Sequence, residues 1–195
     1  MKNQVRSFIA LEISSRVRSK ISRYLDRHVT DLQRVKWVTQ DQFHLTLKFL
    51  GDVPMNQMHQ VITAIKTACA QTDPFDLVFE GIGAFPDKTD PRTLWIGVTE
   101  GTEESVILAE MIDTELAKLG FPRETRRLTP HLTIGRVKRG SQGDSAGIGA
   151  LMLPEKEPPF FGVSAVDAVT LFASELSRRG PKYAVLAEID LRTIG

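Results

Sequence analysis

One cysteine, Cys69, is all that this 195-residue chain contains. It cannot form an internal disulfide, and a thiolate-rich metal site is excluded. It stands in Ala64-Ile65-Lys66-Thr67-Ala68-Cys69-Ala70, a helix-like context in which a small buried residue is the plain reading. Long apolar runs are missing as well, and none approaches the roughly 18 residues a spanning helix needs. The first apolar stretch, Phe8-Ile9-Ala10-Leu11, is too short for a signal-peptide core. A cytoplasmic protein without a membrane partner is therefore expected. Charge of one sign is also lacking: the net charge is +1, so the overall balance says nothing about nucleic acid. With 42% apolar and 25% charged residues, the chain has a globular composition. Its length suits one domain, or two small lobes sharing a core, but not two large domains.

What the chain does have is a repeated pattern. His44-Leu45-Thr46-Leu47 and His131-Leu132-Thr133-Ile134 lie 87 residues apart. The same offset carries Phe8-Ile9-Ala10-Leu11 onto Trp95-Ile96-Gly97-Val98, so each short apolar segment precedes its His by 36 residues. Pro74-Phe75 and Pro159-Phe160 follow the two motifs, with one deletion between the copies. Shared spacing and element order over most of the chain point to an internal duplication, approximately 5–92 and 93–192.

Each copy reads as strand, helix, His strand, helix, strand. Strands are expected over residues 5–12 and 43–50. Ser14 or Ser15 caps a helix reaching about His28. Pro54 sits where a first helical turn begins, and that helix extends to about Thr72. Residues 75–85 and 93–99 form a hairpin around the turn-rich Pro86–Pro91. A helix over about 102–119 stops at Gly120-Phe121-Pro122. Residues 131–138 form the second His strand, 139–149 a mobile glycine-rich loop, and 161–173 and 182–192 the closing strands. Hairpins imply antiparallel pairing. The expected fold is α+β: one bilobal domain over 1–195, two pseudo-symmetric lobes of mainly antiparallel sheet, helices outside and a central cleft. Exchange of each copy's first strand into the neighbouring lobe is left open by the sequence.

Alternation along the strands separates two faces. His44, Thr46 and Lys48 share one face, with Leu45, Leu47 and Phe49 on the core side. In the second copy, His131, Thr133 and Gly135 oppose Leu132 and Ile134. Two imidazoles and two hydroxyls then meet in one cleft if the strands lie near the pseudo-two-fold axis. Such a set suits phosphodiester hydrolysis. A proton must leave the nucleophile and another must reach the departing alkoxide. Imidazole, with an ordinary pKa of about 6.5, serves either role near neutrality. Threonine hydroxyls can donate to non-bridging phosphate oxygens. No metal or cofactor is called for, and His-x-Thr lacks the spacing of a zinc helix. Strand histidines and threonines are ordinarily structural, and His28 and His59, on polar helices without a partner motif, are read so. The recurrence of His and Thr at the exposed positions of both tetrads sets these four apart.

Phe43-His44-Leu45-Thr46-Leu47-Lys48-Phe49-Leu50-Gly51 and Thr129-Pro130-His131-Leu132-Thr133-Ile134-Gly135-Arg136 resemble the paired motifs of the two-histidine phosphoesterase superfamily. With Phe8–Leu11, Phe85-Pro86, Pro91-Arg92 and Leu94-Trp95, the chain is similar nearly end to end to its RNA 2′,3′-cyclic phosphodiesterase branch, also called 2′-5′ RNA ligases. The resemblance implies a hydrolase that opens RNA 2′,3′-cyclic phosphates to 2′-phosphomonoesters. It implies His44 as proton donor to the 3′ oxygen and His131 as the base that activates water. It also implies RNA ends or cyclic-phosphate nucleotides as substrates, and a monomer is expected. Arg136 matches the arginine next to the family's second motif, a phosphate contact, yet plain alternation puts it opposite His131. A bulge or the strand end would return it to the cleft. A basic cluster over 123–139 favours phosphate on that side. Phe85, Trp95 and Tyr183 are candidate base-stacking surfaces, although Trp95 aligns with Phe8 and equally fits the core.

Three further functions fit the same residues. Reverse ligation through a 2′-5′ linkage would use the same groups, with water favouring hydrolysis. Other cyclic phosphates, such as ADP-ribose 1″,2″-cyclic phosphate, fit the same cleft. A non-catalytic RNA- or nucleotide-binding module is the alternative of another class.

Overall fold

The computed structural model describes residues 3–28, 35–138, 157–177 and 180–192. The glycine-rich stretch 139–149 expected as a loop lies outside them. In chain order the elements are β1 (Gln4–Glu12), α1 (Ser15–His28), β2 (Val35–Trp37), β3 (His44–Pro54), α2 (Met58–Cys69), β4 (Phe75–Phe85), β5 (Thr93–Glu100), α3 (Thr102–Ala117), β6 (His131–Val137), β7 (Phe160–Val166), β8 (Ala168–Ser177) and β9 (Gly180–Asp190).

The fold is α+β, with one curled antiparallel sheet in the order β7-β4-β5-β6-β3-β1-β8-β9, and β2 paired with β6. Two four-stranded halves meet where β3 and β6 touch, through the register pair Leu45↔Leu132. Each His strand has as a neighbour the first strand of the copy expected from the sequence, β1 beside β3 and β5 beside β6. A strand from the other expected copy then continues each half: β8 pairs with β1, and β4 pairs with β5. β4 and the short β2 thus lie with the second His strand, β8 and β9 lie with the first, and each first strand stays beside the His strand that follows it.

The first helix follows its expected signal. The Ser14 hydroxyl accepts the Val17 N–H at 3.4 Å, and α1 buries Val17, Ile21 and Leu25, one stripe at helical spacing. α2 and α3 pack on each other. α2 contributes Val61, Ile65 and Ala68 to the core, and α3 contributes Leu108, Ile112 and Leu116. Complete burial of one such aliphatic side chain contributes about 1.5–3 kcal/mol.

Three local readings change. Pro54 ends β3, the next residues make a single 3-10 turn, and α2 begins at Met58. Proline's fixed φ serves a strand end as readily as a first helical turn. The stretch read as one strand over 161–173 is two, β7 and β8, on opposite flanks of the sheet. β2 is an addition to the expected elements: three residues carry too little alternation to be seen, and its pairing with Gly135–Val137 is long-range.

Candidate active site

At the junction Leu45 and Leu132 lie opposite each other, and both side chains are fully buried. Their flanking residues therefore turn to the other face of the sheet. An antiparallel register about this pair brings His44 toward Thr133 and Thr46 toward His131. All four line one cleft of about 1110 Å³, together with Arg136.

Both rings are held the same way. His44 Nδ1 lies 2.8 Å from the Gln42 carbonyl oxygen, and His131 Nδ1 lies 2.7 Å from that of Thr129. A carbonyl can only accept, so each Nδ1 carries hydrogen and donates it. That leaves Nε2 on both rings to take up or release a proton. Gln42 is itself tied to β9, its side-chain amide donating to the Pro181 carbonyl.

Aromatic packing sets the two rings in unlike surroundings. Phe8 lies 4.8 Å from the His44 ring centroid, and Tyr183 meets His44 edge-on at 5.3 Å. Phe172 stacks on Phe8 at 5.1 Å, forming a small apolar cluster beneath His44. On the other side, Phe85 meets His131 edge-on at 5.0 Å. Trp95 stands behind Phe85 and lies flat on Gly83, where an added Cβ would come within 2.2 Å of the indole. Phe85 and Tyr183 thus face the cleft, whereas Trp95 packs behind it.

Burial is the main cause of depressed basicity in both histidines. It pushes His44 down to about 4, helped by the charges of Arg18, Arg136 and His131 and opposed by the hydrogen bond to Gln42. His131 is lowered by burial and by Arg136, against the Thr129 hydrogen bond. Tyr183 is raised by burial and pulled back by Arg136. These surroundings favour two neutral imidazoles.

Each His strand carries a β-bulge at the fourth residue of its tetrad. Register passes from Ala10↔Thr46 to Ile9↔Lys48, leaving Leu47 as the extra residue. It passes from Trp95↔Thr133 to Leu94↔Gly135, leaving Ile134 extra. Beyond each bulge the two faces exchange. Arg136 returns to the face of His131 and Thr133, and its charge reaches both histidines and Tyr183. Phe49, expected in the core, is 66% exposed and lines the cleft beside Phe8 at 6.0 Å. Lys48, expected on the histidine face, is buried on the opposite one and donates to Asp113 at 2.6 Å. Phe49, like Arg136, is a cleft residue that strict alternation misses. Its apolar neighbours Leu47 and Leu50 give no hint of a change of face.

Among the described residues no group of three or more His, Cys, Asp or Glu stands ready to hold a metal. No helix among them is long and apolar enough to cross a membrane.

Comparison with known proteins adds a family. Residues 19–175 match the model of the 2′-5′ RNA ligase superfamily. A relative from Archaeoglobus fulgidus, named RNA 2′,3′-cyclic phosphodiesterase, is 35% identical over 92% of this chain and 96% of its own length. One from Methanothermobacter thermautotrophicus, with the same name, is 33% identical over 92% of this chain and 95% of its own. Among solved structures, a Thermus thermophilus protein superimposes with a TM-score of 0.79 at 27% identity, covering 97% of this chain and all of that one (100%). E. coli LigT bound to 3′-AMP gives 0.78 at 24%, covering 97% of this chain and 99% of that one, a likeness of fold.

Proposed function

This chain belongs to the 2′-5′ RNA ligase superfamily, and from that membership and the geometry of its cleft we propose that it hydrolyses RNA 2′,3′-cyclic phosphate ends to 2′-phosphomonoesters without a metal ion. The observation that carries the reading is the matched pair of Nδ1–carbonyl hydrogen bonds, which leaves both Nε2 atoms free in one cleft.

In the reaction His131 Nε2 takes a proton from water as the oxygen attacks phosphorus. The P–O3′ bond breaks, and His44 Nε2–H gives its proton to the departing 3′ oxygen. A 2′-phosphomonoester and a free 3′ hydroxyl result. Each such proton transfer contributes about 10²–10⁴-fold. Thr46 and Thr133 donate hydroxyl hydrogens to the non-bridging oxygens, and the Arg136 guanidinium balances their negative charge.

The proton donor must be charged, and burial of His44 opposes that. The substrate supplies the remedy. A phosphodiester anion between the rings favours imidazolium over imidazole, so binding itself brings a proton into the cleft. The wild-type protein should turn over a 2′,3′-cyclic mononucleotide in the presence of chelator and release the 2′-phosphate isomer; binding without turnover would instead indicate a non-catalytic module. The two roles separate with a cyclic substrate in which sulfur replaces the departing 3′ oxygen. A thiolate leaves without an acid, so His44→Asn should regain most of its rate on that substrate and His131→Asn should not.

A further inference from the structure

Lys48 lies four residues beyond His44 and takes no part in the chemistry above. It is 4% exposed, a costly place for an ammonium unless it is fully partnered. Its Nζ donates to Asp113 Oδ1 at 2.6 Å, to the Pro122 carbonyl at 2.9 Å and to Glu124 Oε1 at 3.4 Å. Asp113 also pairs with Arg123, Nε to Oδ2 at 3.3 Å. The cluster links the β3 catalytic strand to α3 and to the segment that leads into the second His strand.

The other half of the protein makes the matching connection by a different means. There the segment leading into the first His strand reaches across as β2, with Trp37 opposite Gly135 and Val35 opposite Val137. Gly135 holds the position 87 residues after Lys48, and Glu124 the position 87 after Trp37. A Cβ on Gly135 would lie 2.6 Å from Val35 Cγ1, so only glycine admits the ladder. On the Lys48 side, residues 121–130 form no strand, and a side chain takes the place of the ladder. One crossing segment is thus closed down as sheet, and its counterpart is held off at the length of a lysine.

The held segment carries Arg126 and Arg127, both exposed and both lining the cleft with the histidines. Lys48, Asp113, Arg123 and Glu124 neutralise one another. Arg127 has only a loose, exposed contact to Glu103 at 3.8 Å, and Arg126 has no ion pair among the described residues. Within this segment, the charges not balanced by a close partner are therefore those of Arg126 and Arg127. A cyclic end at the histidines has its remaining phosphates on one side, along the strand leading to it.

On the proposed reaction, we infer that residues 123–127 form a second subsite, where Arg126 and Arg127 bind the RNA backbone phosphates preceding the cyclic end, and that Lys48 is a positioning residue that fixes this segment to the catalytic strand. The subsite makes the enzyme prefer an oligomer to a mononucleotide.

The test compares kcat/KM for a cyclic-ended RNA oligomer and for a 2′,3′-cyclic mononucleotide. In Arg126→Gln/Arg127→Gln the oligomer-to-mononucleotide ratio should fall about tenfold or more. The dependence of log(kcat/KM) on log salt for the oligomer should flatten by about 0.7 per lost phosphate contact. Lys48→Met should lower the same ratio, and should lower it no further in the double-arginine background, an outcome that general loosening of the fold would not give. An unchanged ratio and salt slope in the arginine variant would overturn the subsite. An additional loss on combining the changes would overturn the positioning role. If neither substrate turns over, the reading of the reaction fails by itself, and salt-dependent binding of the oligomer decides the subsite: weaker and flatter in the arginine variant supports it, equal to wild type overturns it.

Discussion

Leu45 of β3 stands opposite Leu132 of β6, and this pairing of two buried leucines determines where both imidazoles stand. A shift of one residue in that register would turn each His into the core and each Leu into the cleft. The histidines are therefore set by the apolar residues beside them, with the Nδ1 hydrogen bonds fixing ring orientation afterwards.

The first prediction concerns the two Nε2 atoms. In His44→Asn and His131→Asn the side-chain amide can still donate to the Gln42 or Thr129 carbonyl, while the atom that exchanges protons is lost. Each should lower kcat by about 10²–10⁴-fold on a 2′,3′-cyclic mononucleotide. The double variant should fall by much less than the product of the two, because the rings act on one transition state. Rates within severalfold of wild type in either single variant would remove that residue from the mechanism.

A second prediction follows from the depressed basicity. In the free protein burial holds His44 near 4 and lowers His131 too. The limbs of kcat/KM, which report the free enzyme, should therefore lie on the acid side of 6.5. The bound anion favours imidazolium, so the alkaline limb of kcat should sit at higher pH than that of kcat/KM. Coincident limbs would count against proton uptake on binding, provided chemistry limits the rate. Stability shares the cause. Unfolded His44 takes a proton near 6.5 and the folded form does so near 4, so this contribution is present at neutral pH and is lost as pH falls through that window.

Arg136 gives a third. Its positive charge lowers both histidines, so Arg136→Gln should raise them and move the acid limb of kcat/KM, whichever histidine sets it, to higher pH. The same change should reduce kcat/KM by about ten- to a hundredfold, the loss of one or two charge-assisted contacts at roughly 1.5–3 kcal/mol. Arg136→Lys should keep the limb in place while recovering only part of the rate, since lysine lacks the planar fork. An unmoved limb in Arg136→Gln would mean that the guanidinium does not act on the histidines.

A fourth tests the narrowness of the β2–β6 contact. Gly135→Ala would push a methyl into Val35 and Trp37. Overpacking of this kind costs about 1–3 kcal/mol, and chemical denaturation should show a lower midpoint with an unchanged slope. Full stability in Gly135→Ala would show that β2 can move off β6 at no cost.

Much of this site is legible in the chain because short-range alternation obeys simple geometry. His44, Thr46, His131 and Thr133 fall on one face, Leu45 and Leu132 on the other, and both follow from a period of two. The same rule fails one residue later. An inserted bulge residue at Leu47 or Ile134 leaves no mark in composition, so strict alternation gives Lys48 and Phe49 each other's faces. Arg136 needs such a bulge to reach the cleft, and the strand supplies it. Pairings across more than a hundred residues, such as Phe8 with Phe172, depend on the whole sheet closing, and no local pattern announces them.

The placement of β8 beside β1 has a consequence for synthesis. His44 rests on Phe8, Phe172 and Tyr183, two of which belong to β8 and β9, made after both His strands. A chain still on the ribosome carries both motifs long before the floor beneath the first of them exists. Activity should therefore appear in a single step, when the β8–β9 hairpin emerges and docks, and truncated chains ending before β8 should be inert however complete their histidines.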